Sequence, residues 1–343
     1  MKRSIRAATA PAANQFYINT PLVSARATVS SDGHRLQVAY KMETFQPSGS
    51  FKDRGISHMM RQLMQRGQQP VTKVICSSGG NAGHAVATAG LTLNVPVDVY
   101  VPITTLPMMV AKLRQKGANV FVHGANWNEA DAKARSALAQ EHGSIFIPPY
   151  DDPLIWEGNA SIVDELEQAY RDAHRRPPDA IVVSVGGGGL LAGVQQGLNR
   201  VGWGTTTKVF AAETAGAASF AAAKTAGGGR AVRLDKIDTV ASSLGALSVT
   251  TGCLVDRPVT ESIVVTDAEA VAACIQFADE HKVLTEPACG AALATVMTPK
   301  YVDQILASLG GRDTVPKDVV VIACGGSIVS VDLLERWRKS YLK

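Results

Sequence analysis

Most of the features that sort a sequence quickly are missing from this one. There is no run of lysines and arginines, so a net charge of +4 is spread along the chain and leaves no electrostatic footprint for nucleic acid. No apolar stretch suits the roughly 20 residues of a membrane helix. A composition of 46% hydrophobic and 19% charged residues is instead that of a globular protein. The five cysteines (76, 253, 274, 289 and 324) form no CxxC pair and lie mostly in apolar patterns, where thiols behave as small hydrophobes. A reducing, cytoplasmic setting is therefore expected. No HExxH, no close histidine pair and no GxSxG elbow occurs, which leaves zinc hydrolysis and serine-hydrolase chemistry without support. Neither a 20 to 50 residue repeat nor a low-complexity tract is present. The first 31 residues contain Lys2, Arg3, Arg6 and Arg26 but no acidic residue, a weak resemblance to a transit peptide, although no apolar secretory core follows and a ragged basic N-terminus is the expected reading.

What the 343 residues do contain is a rhythm. Short β-branched runs at 74–76, 97–101, 120–122 and 145–147 alternate with helical stretches starting near Asn81, Leu106 and Asn126, the pattern of βαβ units. PPYDDP at 148–153 breaks the series and reads as a crossing between lobes. A second series follows, with a helix over 154–173, strands at 180–185, 209–213, 263–265 and 319–323, and a helix from Asp267 marked by the capping box of Thr266 and Glu269. The alternation in 36–42 predicts a strand, and glycine-rich 224–235 predicts an exposed loop. The expected class is α/β, with two lobes that each carry a largely parallel sheet flanked by helices: 1–45 with 150–343 as the large lobe, and 46–149 as the small one.

Chemistry concentrates in four stretches. PSGSFKDRG at 47–55 sets Lys52 just ahead of a helix expected from Asp53 to about Arg66, where the positive end of the dipole and any burial disfavour an ammonium. On its own this lysine reads more readily as a solvated surface group. SVGGGGLLAG at 184–193 places four glycines between a strand and a helix, a cradle for phosphate. SSGGNAG at 77–83 and CGGS at 324–327 also follow strands, and open α/β sheets bind ligands at those ends. Asn81 also reads as a plain helix cap, and His84 as a packing partner. Gly187, Gly189 and Ala192 satisfy GxGxxA with Glu213 at the end of the next strand, so an NAD-binding oxidoreductase is a rival. A lysine, a phosphate cradle, an amide loop and a thiol around one cleft suit pyridoxal phosphate.

At these residues the chain resembles the pyridoxal-phosphate enzymes of the tryptophan synthase β-subunit fold, fold type II, and among them the catabolic L-serine dehydratase and L-threonine deaminase group. The resemblance runs from about Thr20 to Leu334 and includes PSGSFK, SSGGNAG, PPYDDPLIWEG, the glycine loop, EPACGAA and CGGS. It implies coenzyme in the cleft between the lobes, Lys52 as the Schiff-base lysine and base, and Phe51 packed on the coenzyme ring. Asn81 would then meet the phenolic oxygen, Gly186, Gly187, Gly188, Gly189 and Leu190 the phosphate, and Cys324 the pyridine nitrogen. Ser78, Gly79, Asn81 and Ala82 would hold the substrate. Gly186, Glu213, Ala217, Leu244 and Ala246 would form a monovalent-cation site, for an ion such as potassium. The implied reaction is α,β-elimination of L-serine to pyruvate and ammonia, and of L-threonine to 2-oxobutanoate, by a homodimer without nucleic-acid or membrane partners. Asp53 and Ile328 depart from the dehydratase pattern. SFKDRG is found in threonine synthases, which makes that activity the alternative within the fold, beside a non-catalytic coenzyme-binding relative. Gly79 stands where serine racemases carry a serine, which points away from racemisation.

Overall fold

The computed structural model describes residues 16–342 apart from 26–27, 30–32, 34, 68 and 311–315. The basic stretch at Lys2, Arg3, Arg6 and Arg26 lies outside the described residues. Strands β1 (Leu22–Ser24), β2 (Thr28–Val29) and β3 (Arg35–Lys41) lead into helix α1 (Lys52–Arg66). Then β4 (Lys73–Cys76), α2 (Asn81–Leu93), β5 (Val97–Val101), α3 (Pro107–Gln115), β6 (Asn119–Val122), α4 (Trp127–Gln140) and β7 (Ser144–Phe146) alternate. The long α5 (Pro153–Asp172) opens the rest: β8 (Ala180–Ser184), α6 (Gly189–Arg200), β9 (Lys208–Thr214), α7 (Ser219–Ala226), β10 (Thr260–Val265), α8 (Asp267–His281), α9 (Pro287–Met297), α10 (Pro299–Ser308), β11 (Lys317–Ile322) and α11 (Val331–Tyr341).

Two sheets result. One has the order β6-β5-β4-β7 and is parallel throughout. The other runs β1-β3-β11-β8-β9-β10, parallel from β3 onward, with β1 and β2 both antiparallel to β3. The α/β class with parallel sheets flanked by helices is as the sequence pattern implies. Strands such as β8 are buried at every position, as a sheet covered on both faces requires. No helix among the described residues is long and apolar enough to cross a membrane.

Local signals explain the helix starts around the cleft. Asp152 caps α5 by accepting from Leu154 N–H at 2.8 Å, with Pro153 at the first helical position, and α8 opens on the capping box of Thr266 and Glu269. Helix α1 buries Ile56, Met59 and Met60 in the core beside β4 and β5, and full burial of each such side chain is worth about 1.5–3 kcal/mol.

Close backbone approaches then fix α1, α5 and α6 as a stack. A Cβ on Gly55 would meet Ile155 O at 2.6 Å, one on Gly158 would meet Arg54 O at 2.6 Å, and one on Gly193 would meet Trp156 O at 2.7 Å. Asn159, buried in α5, ties the three together. Its Oδ1 accepts from Gly55 N–H at 3.1 Å and its Nδ2 donates to Gly189 O at 3.0 Å. The helix that begins at Lys52 is thereby registered on the helix that begins at the glycine loop.

Candidate active site

Lys52 is the first residue of α1, so the orphan N–H groups of the first turn surround it. Its Nζ donates to Pro149 O at 2.5 Å and lies 5.1 Å from the centre of the Phe51 ring. The side chain keeps some surface towards the cleft, but protein encloses the amine closely. Desolvation is the largest influence and lowers its pKa to about 8, against the opposing charges of Cys324 and Glu286. The sequence expectation named the dipole first; burial is the stronger cause.

The loops that surround Lys52 are bound to one another. Phe51 N–H donates to Cys324 O at 2.9 Å, and Ser50 bridges Gly325. Cys324 is buried, and hydrogen bonding with the Cys289 thiol together with burial pushes its pKa well up, so it is a neutral thiol. Asn81, the first residue of α2, donates from Nδ2 to Glu286 Oε1 at 2.7 Å and lies 3.4 Å from Ser243 Oγ, while Ser327 Oγ donates to its Oδ1. It is therefore held by residues more than 160 positions away in the sequence, and its own helix gains no side-chain cap from it. Ser78, Gly79 and Ala82 sit beside it in the same turn; Ser78 Oγ accepts from Gly80 N–H at 3.4 Å. Lys112 of α3 donates to Ser327 O at 3.0 Å, a further tie across the junction.

The glycine loop follows β8. Gly188 has φ +87, which L side chains avoid, and caps α6. Gly187 has no room for a side chain, because a Cβ there would lie 2.3 Å from the Tyr150 ring. The first-turn N–H groups of α6, including Gly189 and Leu190, have no partner within the helix and form an anion cradle. Tyr150 follows Pro149, so one short segment touches both Lys52 and the cradle. A lysine of lowered pKa, a cradle free of side chains, an amide and a neutral thiol fit pyridoxal phosphate.

Glu213 behaves differently from the ribose acid that the GxGxxA spacing predicts. Its carboxylate is fully buried under α7 and accepts from Phe220 N–H at 2.7 Å and Ala221 N–H at 2.8 Å. It does not face the open sheet end, which removes the structural basis for a dinucleotide site. Burial raises its pKa to about 7. Gly186 lies against Leu244, its O within 3.5 Å of Ser219 Oγ, and Leu244 O accepts from Ala246 N–H at 2.7 Å. Gly186, Glu213, Leu244 and the turn from Ala217 to Ala221 are thus neighbours. Among the described residues no cluster of three or more His, Cys, Asp or Glu is gathered for a metal ion.

Asp53 is buried and turned away, accepting from Ser48 N–H at 2.6 Å. Beside it, Arg54 is fully buried, paired with Glu43 at 2.7 Å and Glu165 at 2.6 Å, and Lys41 meets Glu165 at 2.5 Å. His84 is buried, as expected of a packing residue, and burial lowers its pKa to about 4. Sequence reasoning missed Tyr150, Asn159, Ser243, Glu286 and Ser327. Of these, Tyr150, Glu286 and Ser327 stand inside stretches that the sequence singles out, PPYDDP, EPACGAA and CGGS.

The family model described as pyridoxal-phosphate dependent enzyme matches residues 13–325. The human protein named L-serine dehydratase/L-threonine deaminase is 45% identical over 319 residues, 92% of this chain and 93% of that one. The L-serine dehydratase of Saccharomyces cerevisiae is 38% identical over 339 residues, covering 92% and 95%. The crystal structure of a fungal L-serine ammonia-lyase from Rhizomucor miehei superposes with a TM-score of 0.83 at 34% identity, covering 95% of this chain and 99% of that one.

Proposed function

The chain belongs to the family of pyridoxal-phosphate dependent enzymes, and from that membership we propose that it is an ammonia-lyase that deaminates L-serine to pyruvate and L-threonine to 2-oxobutanoate. The observation that carries this is the buried Lys52, amine-first at a helix start, sharing the segment at Pro149 and Tyr150 with a side-chain-free phosphate cradle.

The coenzyme, when bound, supplies the electron-withdrawing ring that makes the substrate's α-hydrogen acidic. Lys52 would hold its aldehyde, the loop from Gly186 to Leu190 its phosphate, Asn81 its phenolic oxygen, Phe51 one face and Cys324 the ring nitrogen. A neutral thiol leaves that nitrogen largely unprotonated, which favours elimination over transamination. Ser78, Gly79 and Ala82 would receive the substrate carboxylate at the start of α2, where N–H groups are unpaired. Freed of the aldehyde, a Lys52 amine with its pKa near 8 is competent to remove the α-proton close to neutral pH, with Pro149 O holding its added proton. The test is release of pyruvate and 2-oxobutanoate across a panel of amino acids, by wild type and by Lys52→Ala. Turnover of phosphohomoserine in place of serine would favour threonine synthase; the placement of Asp53 against Ser48, away from Lys52, gives that alternative no support.

Finer points belong to the same reading. Glu213 is a buried carboxylate with no cationic side chain paired to it among the described residues, which suits a monovalent cation held with the carbonyls of Gly186, Ala217, Leu244 and Ala246. Activity that differs between potassium and sodium would support it, and indifference would remove it. The two sheets are read as the lobes 1–45 with 150–343, and 46–149. Five buried free thiols accord with a reducing cytoplasm. A homodimer is the expected mass in light scattering.

A further inference from the structure

The lobe junction contains one acid that the elimination leaves without a task. Glu286 precedes α9 and is only 2% exposed. Its Oε1 accepts from Asn81 at 2.7 Å, whereas Oε2 is buried without a hydrogen-bond partner. Holding the helix start does not explain it, because the side chain makes no cap hydrogen bond to α9. Filling volume does not explain it either, since an amide or an apolar side chain would do so without the cost of burying a carboxylate. Charge does. The titratable groups that act on it or that it acts on are Lys52 at the start of α1, the Cys324 thiol after β11 and the Cys274 thiol of α8, with Asn81 and Ser243 as neutral neighbours.

We propose that Glu286 is a positioning residue of the site, an internal counter-ion for the Lys52 amine that also holds the Asn81 amide across the lobe junction. This rests on the reading of Lys52 as the coenzyme lysine. Burial raises Glu286 to about 7, with Ser243 and Asn81 favouring its ionised form, so the acid gains its charge across the neutral range. The charge on Lys52 is then tied to pH through a residue that does not touch the substrate.

Glu286→Gln keeps the size of the side chain and an oxygen for Asn81 to donate to, and removes only the charge. In the full-length protein freed of coenzyme, acylation of Lys52 by a small amine-reactive ester, followed against pH by peptide mass spectrometry, should have its midpoint about one pH unit lower in this variant. Glu286→Asp should restore most of the difference. In the coenzyme-loaded protein the pH midpoint of the visible absorption should move in the same direction. Unchanged midpoints in Glu286→Gln would overturn the proposal, as would an equal shift in Glu286→Asp. Should Glu286→Gln fail to fold, Ser243→Ala, at an exposed position, serves instead. Losing the hydroxyl that favours the ionised acid should lower the midpoint by a smaller amount, and no shift there overturns the proposal. A protein that never takes up coenzyme yet shows the acylation shift refutes the assigned function and leaves Glu286 standing; a coloured protein without the shift does the reverse.

Discussion

Replacing Lys52 by Met should make the coenzyme-free chain more stable while destroying its chemistry. Met fills nearly the same volume and carries no charge, so the variant sheds the cost of enclosing an ammonium. That cost follows from the fall of the Lys52 pKa from 10.5 to about 8, which corresponds to about 3 kcal/mol, and to about 2 kcal/mol once the cleft-facing surface is allowed for. The sign follows from where each state releases the proton. Below pH 8 both the folded and the unfolded chain hold it, and the full cost falls on the wild type. Between 8 and 10.5 the folded chain has released it and the unfolded chain has not, so wild-type stability climbs with pH. Above 10.5 neither state holds it and the difference between the proteins vanishes. Urea unfolding of both coenzyme-free proteins at pH 7, 9 and 10.5 measures this as a difference, in which other titrating groups cancel. A Met variant no more stable than wild type at pH 7, or a gap that does not close with rising pH, would refute the account of Lys52 as a buried amine.

Asp53→Asn should separate the residue from the chemistry. Burial lifts the Asp53 carboxyl from 3.8 to about 7, so the unfolded chain releases that proton first and wild-type stability falls as pH rises through this window. The variant should match wild type near pH 4, exceed it at pH 7 in thermal melts and keep its turnover. Gly187→Ala should weaken coenzyme binding at least tenfold in a fluorescence titration, because its Cβ would lie 2.3 Å from the Tyr150 ring. Tyr150→Ala in the same chain should recover part of the loss. Gly79→Ser alone should show no racemisation by chiral chromatography, since a Cβ there meets Thr105 Cγ2 at 2.9 Å; with Thr105→Ala added, some D-serine should form.

Legibility followed the range of the interactions. Strands β4, β5, β8, β9 and β11 and helices α1, α2, α5 and α8 announce themselves through β-branched runs, caps and breaks, all local in sequence, and the structure has them within a few residues of expectation. Helix α9 gave no periodic signal, because ten of its eleven residues are buried and nothing polar marks an outer face. The two-residue β2 is too short for alternation to register. Within the site, Lys52, Asn81, Cys324 and the glycine loop were legible because each sits next to a strand end or a helix start. Glu286 meets Asn81 across 205 positions of sequence, and Asn159 meets Gly55 across 104. No spacing rule reaches that far. Glu213 misled for the complementary reason: its spacing from the glycines is what a dinucleotide site shows, but spacing along the chain does not say which way a side chain turns.

The charges around Lys52 divide into two sets, and the division bears on the proposal that this lysine acts as a base. In one set, Arg54 and Glu43 are both fully buried, and although desolvation opposes each, their pairing holds the guanidinium charged above its usual range and the carboxylate below its own. Breaking such a pair costs about 3–5 kcal/mol, so α1 is anchored two residues after Lys52 by charges that stay ionised at every working pH. In the other set, Lys52, Asp53 and Glu286 are all shifted towards their neutral forms, to between about 7 and 8, with desolvation the first cause each time. The first set makes the helix rigid without titrating; the second titrates where the cell works. On the anchored side Lys41 gives the comparison: burial lowers its pKa too, but Glu165 and Glu43 both oppose the fall. Had Lys52 stood in open solvent, the dipole of α1 alone, worth about 0.3–1 kcal/mol at an exposed position, would have lowered its pKa by less than one. Only the dry side of the helix start, with a single partly ionised acid across the lobe junction, leaves the amine able both to keep a proton and to give it up.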